Sequence, residues 1–184
     1  MKDRDIISLV KKGSIASELE YQTALSADRT LRILAKSDPS LKEMRTQLRG
    51  LIADYEKANW SNVDAITDDQ IAVSDELEKF AERERKFVEK RKKLILSRLK
   101  KLKLSQGEFG KLLGHKKSYI SELINGIRPI SQKDVVLIRL LLNISFDDLI
   151  FAAIPLETKK EIEMHVASLE NVKLKKNDFE LMTA

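Results

Sequence analysis

The fold is decided by residues 105–131, which read SQGEFGKLLGHKKSYISELINGIRPIS. Ser105 and Glu108 have the spacing of a capping box, in which a hydroxyl and a carboxylate each satisfy a free backbone N–H where a helix begins. Gly114 predicts the end of that helix, and a second short helix is expected from about residue 117 to 124. Two short helices that meet at a sharp angle need a small residue at their contact and apolar residues facing inward. We assign these roles to Gly110, Phe109, Leu113, Ile120 and Leu123.

Helical patterns extend from this stretch in both directions. Upstream, apolar residues recur every three or four positions through residues 41–55, and Asp38 and Pro39 are suited to begin that helix. Alternating charges then predict one long or lightly broken helix from about residue 68 or 75 to 102. Downstream, the segment VVLIRLLL at residues 135–142 is too apolar for a surface helix, so we expect it to be buried on most sides.

Short capping signals mark the other helix ends. Thr67 and Gln70 have the spacing of a second capping box. Ser131 is expected to begin the helix that holds VVLIRLLL, and Ser145 with Asp148 is expected to cap a short turn. After residue 155 the helical spacing resumes and is followed by a polar tail, which we expect to fray.

The composition predicts an all-α protein. Of the 184 residues, 42% are apolar and 34% are charged, whereas six glycines and three prolines are too few for the turns of many short strands. No segment approaches the roughly 20 apolar residues that cross a bilayer, and the N-terminus has too short an apolar core for a signal peptide, so we expect a cytoplasmic protein. The absence of cysteine fits a reducing compartment and excludes disulfides, thiolate metal sites and cysteine nucleophiles.

Positive charge is concentrated in residues 84–128. This segment contains 14 Lys and Arg against 4 Asp and Glu, a net charge of +10 in a chain whose net charge is +5. Because lysine and arginine release condensed counterions when they contact phosphates, such a block predicts a polyanionic partner. The alternative is a solvated helical face.

Four segments carry a resemblance to a known family: LSQGEF (104–109), HKKSYISELING (115–126), RPIS (128–131) and ISFDDLI (144–150). Together with the helix that precedes them, they resemble the phage-repressor (XRE) helix-turn-helix family over residues 89–150. The resemblance implies a five-helix domain whose third helix enters the major groove of double-stranded operator DNA.

The resemblance also implies the DNA-contacting residues. Base edges are expected to be contacted by Lys117, Ser118 and Glu122, with Tyr119 and Ser121 beside them, because lysine can donate to guanine and glutamate can accept from cytosine. Phosphates are expected to be contacted by Gln106, Lys116, Asn125 and Arg128. An equally weighted alternative is that Glu122 only orients Lys117 or Arg128. His115 departs from the family, and we expect it to be a solvated turn residue, with a phosphate contact as the alternative.

The N-terminal half resembles a second group of proteins. Residues 21–60, and above all LRGLIADYEKANW (48–60), resemble the helical pair of HigA-type antitoxins. This resemblance implies a partner, a RelE-like mRNA-cleaving toxin, and repression of the protein's own operon. Residues 61–88 are longer than the family leads us to expect, and residues 155–184 extend past its usual end. Acidic residues could face the toxin's basic surface, or could form a solvated face: Asp64, Asp68, Asp69, Asp75, Glu76 and Glu78.

The sequence therefore predicts four regions. They are an N-terminal helical region for toxin binding or dimerisation (1–66), a connecting helix (67–88), the DNA-binding domain (89–154) and a C-terminal helical extension with its tail (155–184). We expect a homodimer, without deciding whether the N-terminal pair or the last two helices of the DNA-binding domain form its interface.

The sequence is also compatible with a function other than that of an antitoxin. The main alternative is an XRE-family repressor that has no toxin. Enzymatic activity is not expected, because the chain contains no metal-ligand cluster, no phosphate-binding glycine loop and no evident catalytic residue, so no cofactor is predicted either. RNA binding by the basic helix is disfavoured, since that helix lacks the interleaved aromatic residues that stack on bases.

Overall fold

The computed structural model describes residues 5–169, except for the side chains of residues 156 and 157, and every regular element in this part is helical. The all-α prediction is confirmed for these residues. The elements follow in the order α1 (Ile6–Lys12), α2 (Glu18–Leu34), α3 (Leu41–Asn59), a 3-10 turn (Val63–Ala65), α4 (Asp68–Lys101), α5 (Gln106–Leu113), α6 (Lys117–Ile124), α7 (Gln132–Leu142) and α8 (Leu156–Ala167). Across this described range, no helix is both long and apolar enough to pass through a bilayer. The predicted polar tail lies outside the described residues.

The helix α4 connects the N-terminal helices to the DNA-binding region. It is a single unbroken helix of 34 residues, about 51 Å long, and the Thr67 hydroxyl caps it by accepting a hydrogen bond from the N–H of Gln70. Its first half packs against α2, and its second half contributes Ile95 and Leu99 to the core around α5 and α6. The connection expected at residues 67–88 is therefore continuous with the first helix of the DNA-binding region.

Two hydrophobic clusters form the interior. The N-terminal cluster joins α1, α2 and α3 and contains Ile6, Leu9, Ala24, Ala27, Leu31, Ala35, Leu41, Leu48, Ile52 and Ile127. The C-terminal cluster joins α4 to α7 and includes the four apolar residues that the sequence places inward, none of them more than 1% exposed: Phe109, Leu113, Ile120 and Leu123. That part of the prediction is confirmed.

The two clusters meet at the loop that follows α6. Ile127 belongs to this loop, yet its side chain is buried in the N-terminal cluster. The N–H of Ile6 in α1 donates a hydrogen bond of 3.2 Å to the carbonyl of Ile127. Sequence patterns did not predict α1, which begins where Asp5 caps the N–H of Ser8. The N-terminal helices are thus attached directly to the loop between α6 and α7.

Two local predictions are wrong. The helix expected to begin at Asp38 and Pro39 begins at Leu41, because the Asp38 carboxylate accepts hydrogen bonds from the N–H and the hydroxyl of Ser40 and closes a turn before the helix. The segment VVLIRLLL is not buried on most sides. Only one stripe of α7 packs on the cluster, so three of its large apolar side chains stay 40–65% exposed: Val136, Leu140 and Leu141.

The segment after α7 ends the domain with a turn. Ser145 caps this turn by accepting a hydrogen bond from the N–H of Asp148, as predicted. The structure has this turn at the place where the resemblance implied a fifth helix. Lys90 of α4 bonds Asp148 at 3.0 Å, and this bond, together with that from the Ser145 hydroxyl, holds the pKa of Asp148 below its ordinary value. Arg91, which is buried, donates to the carbonyl of Leu149 and fixes the turn to α4.

The glycine at the contact between α5 and α6 provides a test of the packing. A Cβ at position 110 would lie 2.8 Å from the carbonyl oxygen of His115, which backbone geometry holds in place. We therefore expect Gly110→Ala to lower the free energy of unfolding by about 1–3 kcal/mol in urea titrations. Gly50→Ala is the matched control. Position 50 lies inside α3 with open space around it, so alanine there should raise stability by about 0.5–1 kcal/mol. Equal stability of the Gly110→Ala and wild-type proteins would contradict the packing argument.

Candidate nucleic-acid interface

The helices α5 and α6 form a tight corner. Ser105 and Glu108 make the predicted capping box, and the hydrogen bonds from the Ser105 hydroxyl and N–H hold the pKa of Glu108 below its ordinary value. Gly114 ends α5 in the left-handed conformation, with a φ of 76°. The absence of a side chain at Gly110 lets the backbone of His115 approach α5 closely. The corner thus presents the N-terminus of α6 on the outside of the domain.

The exposed end of α6 brings together part of the predicted DNA-contacting set. Lys116, Lys117 and Ser118 are all exposed at the first turn of this helix. Further along α6, Ser121 is half-buried, and Gln106 is half-buried at the first turn of α5. Two lysines beside the positive end of a helix dipole form a local site for phosphate or for base-edge acceptors.

Glu122, Arg128 and Tyr119 form one side-chain group. The Glu122 carboxylate accepts two hydrogen bonds from the Arg128 guanidinium, at 3.0 Å and 2.8 Å. The same guanidinium lies 4.6 Å from the centre of the Tyr119 ring, within the range of a cation–π contact. Because its carboxylate is already occupied, the geometry favours the alternative in which Glu122 orients Arg128 over the one in which it accepts from a base.

His115 holds the turn between α5 and α6 in place. Its Nε2 lies 2.9 Å from Oδ1 of Asp134, a carboxylate only 1% exposed, and its ring stacks on Tyr119 with centroids 4.0 Å apart. The other oxygen of Asp134 accepts from the Ser131 hydroxyl. The expectation of a solvated histidine is therefore wrong: His115 ties α6 to the start of α7. Asp134 was missed because its partner is 19 residues away, although its spacing from Ser131 marks it as part of a helix cap.

Asn125 makes its hydrogen bonds within the protein. Its Oδ1 accepts from Lys92 of α4 at 2.7 Å, and its Nδ2 donates to the carbonyl of Ser121 at 2.7 Å. These bonds hold the end of α6 against α4, and they compete with the phosphate contact that the resemblance implies. Lys92, absent from the predicted set, is one of the residues that determine the position of α6.

A tight helical corner with a basic, exposed helix N-terminus is the arrangement of a helix-turn-helix DNA-binding domain. The comparison with protein families supports this class, because the Helix-turn-helix family model matches residues 95–149. These residues form an XRE-type domain, and the protein is a DNA-binding regulator. Comparisons with curated proteins and with solved structures found no match.

Lys117 and Arg128 are expected to contribute to DNA binding in different ways. A lysine at the exposed end of α6 should contact a base, so Lys117→Ala should cost about 1–3 kcal/mol on a duplex obtained by selection and relax the preference at one base position. Arg128→Ala should weaken binding to selected and scrambled duplexes alike, since phosphate contacts carry no sequence information. Fluorescence anisotropy measures both affinities, and Lys160→Ala on α8 is the control. Equal losses on both duplexes for Lys117→Ala would overturn its role in base recognition.

Proposed function

We propose that this protein is an antitoxin that binds and neutralises a RelE-like mRNA-cleaving toxin and represses its own operon through the helix-turn-helix domain. The observation that carries the toxin-binding part is an exposed acidic stretch of the chain, which runs from the 3-10 turn after α3 into the first turns of α4. It consists of four exposed aspartates: Asp64, Asp68, Asp69 and Asp75. A ribonuclease that binds RNA needs a basic substrate surface, and such a surface is complementary to a cluster of carboxylates.

Two apolar side chains support this surface as a binding site. Val63 is 75% exposed and Ile71 is 45% exposed, and both lie among the aspartates in the chain. Exposed apolar side chains surrounded by charge are typical of protein interfaces, where they supply the buried centre while the charged rim guides association. Glu76 and Glu78 are less available than the aspartates, because Glu76 pairs with Lys79 at 2.6 Å and Glu78 lies 3.8 Å from Arg29.

For repression, we propose a homodimer that contacts two half-sites about 34–36 Å apart, since a single helix contacts few bases. The structure offers an apolar face for this contact, formed by α7 and the turn that follows it. We call it the α7 face, and its exposed members are Val136, Leu140, Leu141, Phe146 and Ile150. Arg139 lies 4.8 Å over the Phe146 ring and keeps this aromatic side chain in position. An exposed set of this size favours the DNA-binding domain over the N-terminal pair as the dimer interface.

Co-expression with the adjacent reading frame tests the antitoxin proposal. We expect the neighbour to stop growth when expressed alone, to be harmless beside this protein, and to co-purify with it. Replacing the four aspartates by asparagine (D64N, D68N, D69N and D75N) should weaken the complex because it removes charges that face the toxin. The matched control removes four exposed acids elsewhere (E43Q, D54N, D147N and E161Q) and should leave the affinity unchanged. A neighbour that neither binds nor poisons would contradict the proposal and would leave a repressor without a toxin.

The α7 face provides a separate test of the dimer. Leu140 is 65% exposed, so Leu140→Glu should be tolerated by the fold while placing a charge in an apolar interface. Sedimentation equilibrium should show a dimer for the wild-type protein and a monomer for this variant. Leu102→Glu, at the end of α4, is the control and should remain dimeric. A wild-type monomer both free and on DNA would refute the dimer, and a dimeric Leu140→Glu protein would refute this interface.

A further inference from the structure

A groove at the corner between α2 and α3 is lined by eight residues, of which five are positively charged. Its volume is about 630 Å³, and no acidic residue takes part in the lining. The cations that line it are Arg32, Lys36, Lys42, Arg45 and Arg49. Arg32 lies on α2, Lys36 in the turn that follows it, and the other three on α3. Because they span 18 positions, the sequence contains no compact run of basic residues that would predict the groove.

Most of these cations are not neutralised by the protein itself. Arg45 is bound to Asp28, with Nε 2.8 Å from the carboxylate. The other four are exposed, and within residues 5–169 no carboxylate lies within 4.0 Å of their charged groups. Unpaired like charges around one concavity repel each other and focus a positive potential there. An anionic partner that carries several charges would relieve this repulsion.

A second cavity lies between α2, α4 and the end of α6. Arg29 lies about one turn before Arg32 on α2, so the two side chains point to neighbouring positions on the helix surface. Arg29, Lys92, Lys93 and Asn125 line one part of this cavity, whose volume is about 350 Å³, and uncharged side chains of α2 and α4 line most of the rest. Asn125 is the residue at the end of α6. Glu89 is the acidic residue among the lining side chains of this cavity, and Arg85 neutralises it at 2.6 Å.

We propose that the two cavities form one basic track that binds the phosphate backbone of DNA beside the half-site contacted by α6. The basic track comprises Arg32, Lys36, Lys42, Arg49, Lys92 and Lys93, together with Arg29, which also lies 3.8 Å from Glu78. The inference rests on the DNA binding included in the proposed function, and it adds a second contact surface to it. The partner is inferred from the place of Asn125, which ends the DNA-binding helix, in the lining of the second cavity.

Two further observations fit double-stranded DNA. The side chains that line the two cavities include no aromatic residue, whereas surfaces that bind single-stranded nucleic acid stack bases on aromatic rings. The N-terminal helices also have a fixed position relative to the domain, because Ile127 is buried among them and its carbonyl accepts from Ile6. A track held in this way can follow a rigid duplex while α6 occupies the major groove of the DNA. Its contribution is independent of sequence, because phosphates are the same at every base pair.

The salt dependence of DNA binding tests the track without knowledge of the operator. The track variant carries R32A, K36A, K42A and R49A. Its affinity for a random-sequence duplex of about 40 base pairs, roughly four helical turns, is measured by fluorescence anisotropy over a salt series. Each phosphate contact contributes about 0.9 to the slope of log affinity against log salt, so losing four contacts should reduce that slope by about 3.6. The control variant (K57A, K79A, K86A and K160A) removes the same charge elsewhere and should keep the wild-type slope.

The outcomes separate this inference from the proposed function. A track variant with the wild-type slope, or a control variant that loses as much, overturns the track. If the track variant keeps its DNA binding but loses binding of polyglutamate, the groove binds an acidic protein, and the assignment to DNA is overturned. A wild-type protein that binds no duplex refutes the DNA binding of the proposed function and the track with it. Circular dichroism confirms folding, and a Lys36→Glu, Lys42→Glu double variant repeats the test if the fourfold variant is unstable.

Discussion

The contact between α5 and α6 requires that position 110 carry no side chain, because a Cβ there would lie only 2.8 Å from the carbonyl oxygen of His115. This close approach sets the angle between the two helices and leaves the N-terminus of α6, with Lys116 and Lys117, on the outside. The inner faces of both helices then meet in the C-terminal cluster, and His115 is placed where it can bond the buried Asp134. The DNA-binding surface is therefore a consequence of backbone packing as much as of the side chains on it.

The loop after α6 connects this domain to the rest of the molecule. Ile127 is buried in the N-terminal cluster, while its neighbour Arg128 reaches back to Glu122 on α6. Since α4 contributes to the C-terminal cluster and also packs against α2, the N-terminal helices do not form a separate module joined by a flexible linker. A partner bound to the N-terminal helices would therefore sit at a fixed position relative to DNA.

Side chains of opposite charge lie at the two ends of α3. The junction of α3 and α4 presents the exposed aspartates, whereas the corner between α2 and α3 presents the basic groove. On the proposals made above, the first end would bind a basic protein and the second a nucleic acid. Both surfaces can be occupied while α6 contacts DNA, because neither surface overlaps the exposed end of α6.

Much of the domain was predictable because helix caps and apolar periodicity act over a few residues. The sequence by itself determined the all-α class, the capping box at Ser105, the glycine turn at Gly114 and the inward set around Phe109. Only the tertiary structure decided that His115 bonds Asp134, that Leu140 is exposed, and that Arg32 and Arg49 line one groove. The reason is physical: these features depend on which helix faces are covered and on side chains brought together from distant positions, and a local pattern carries no information about either.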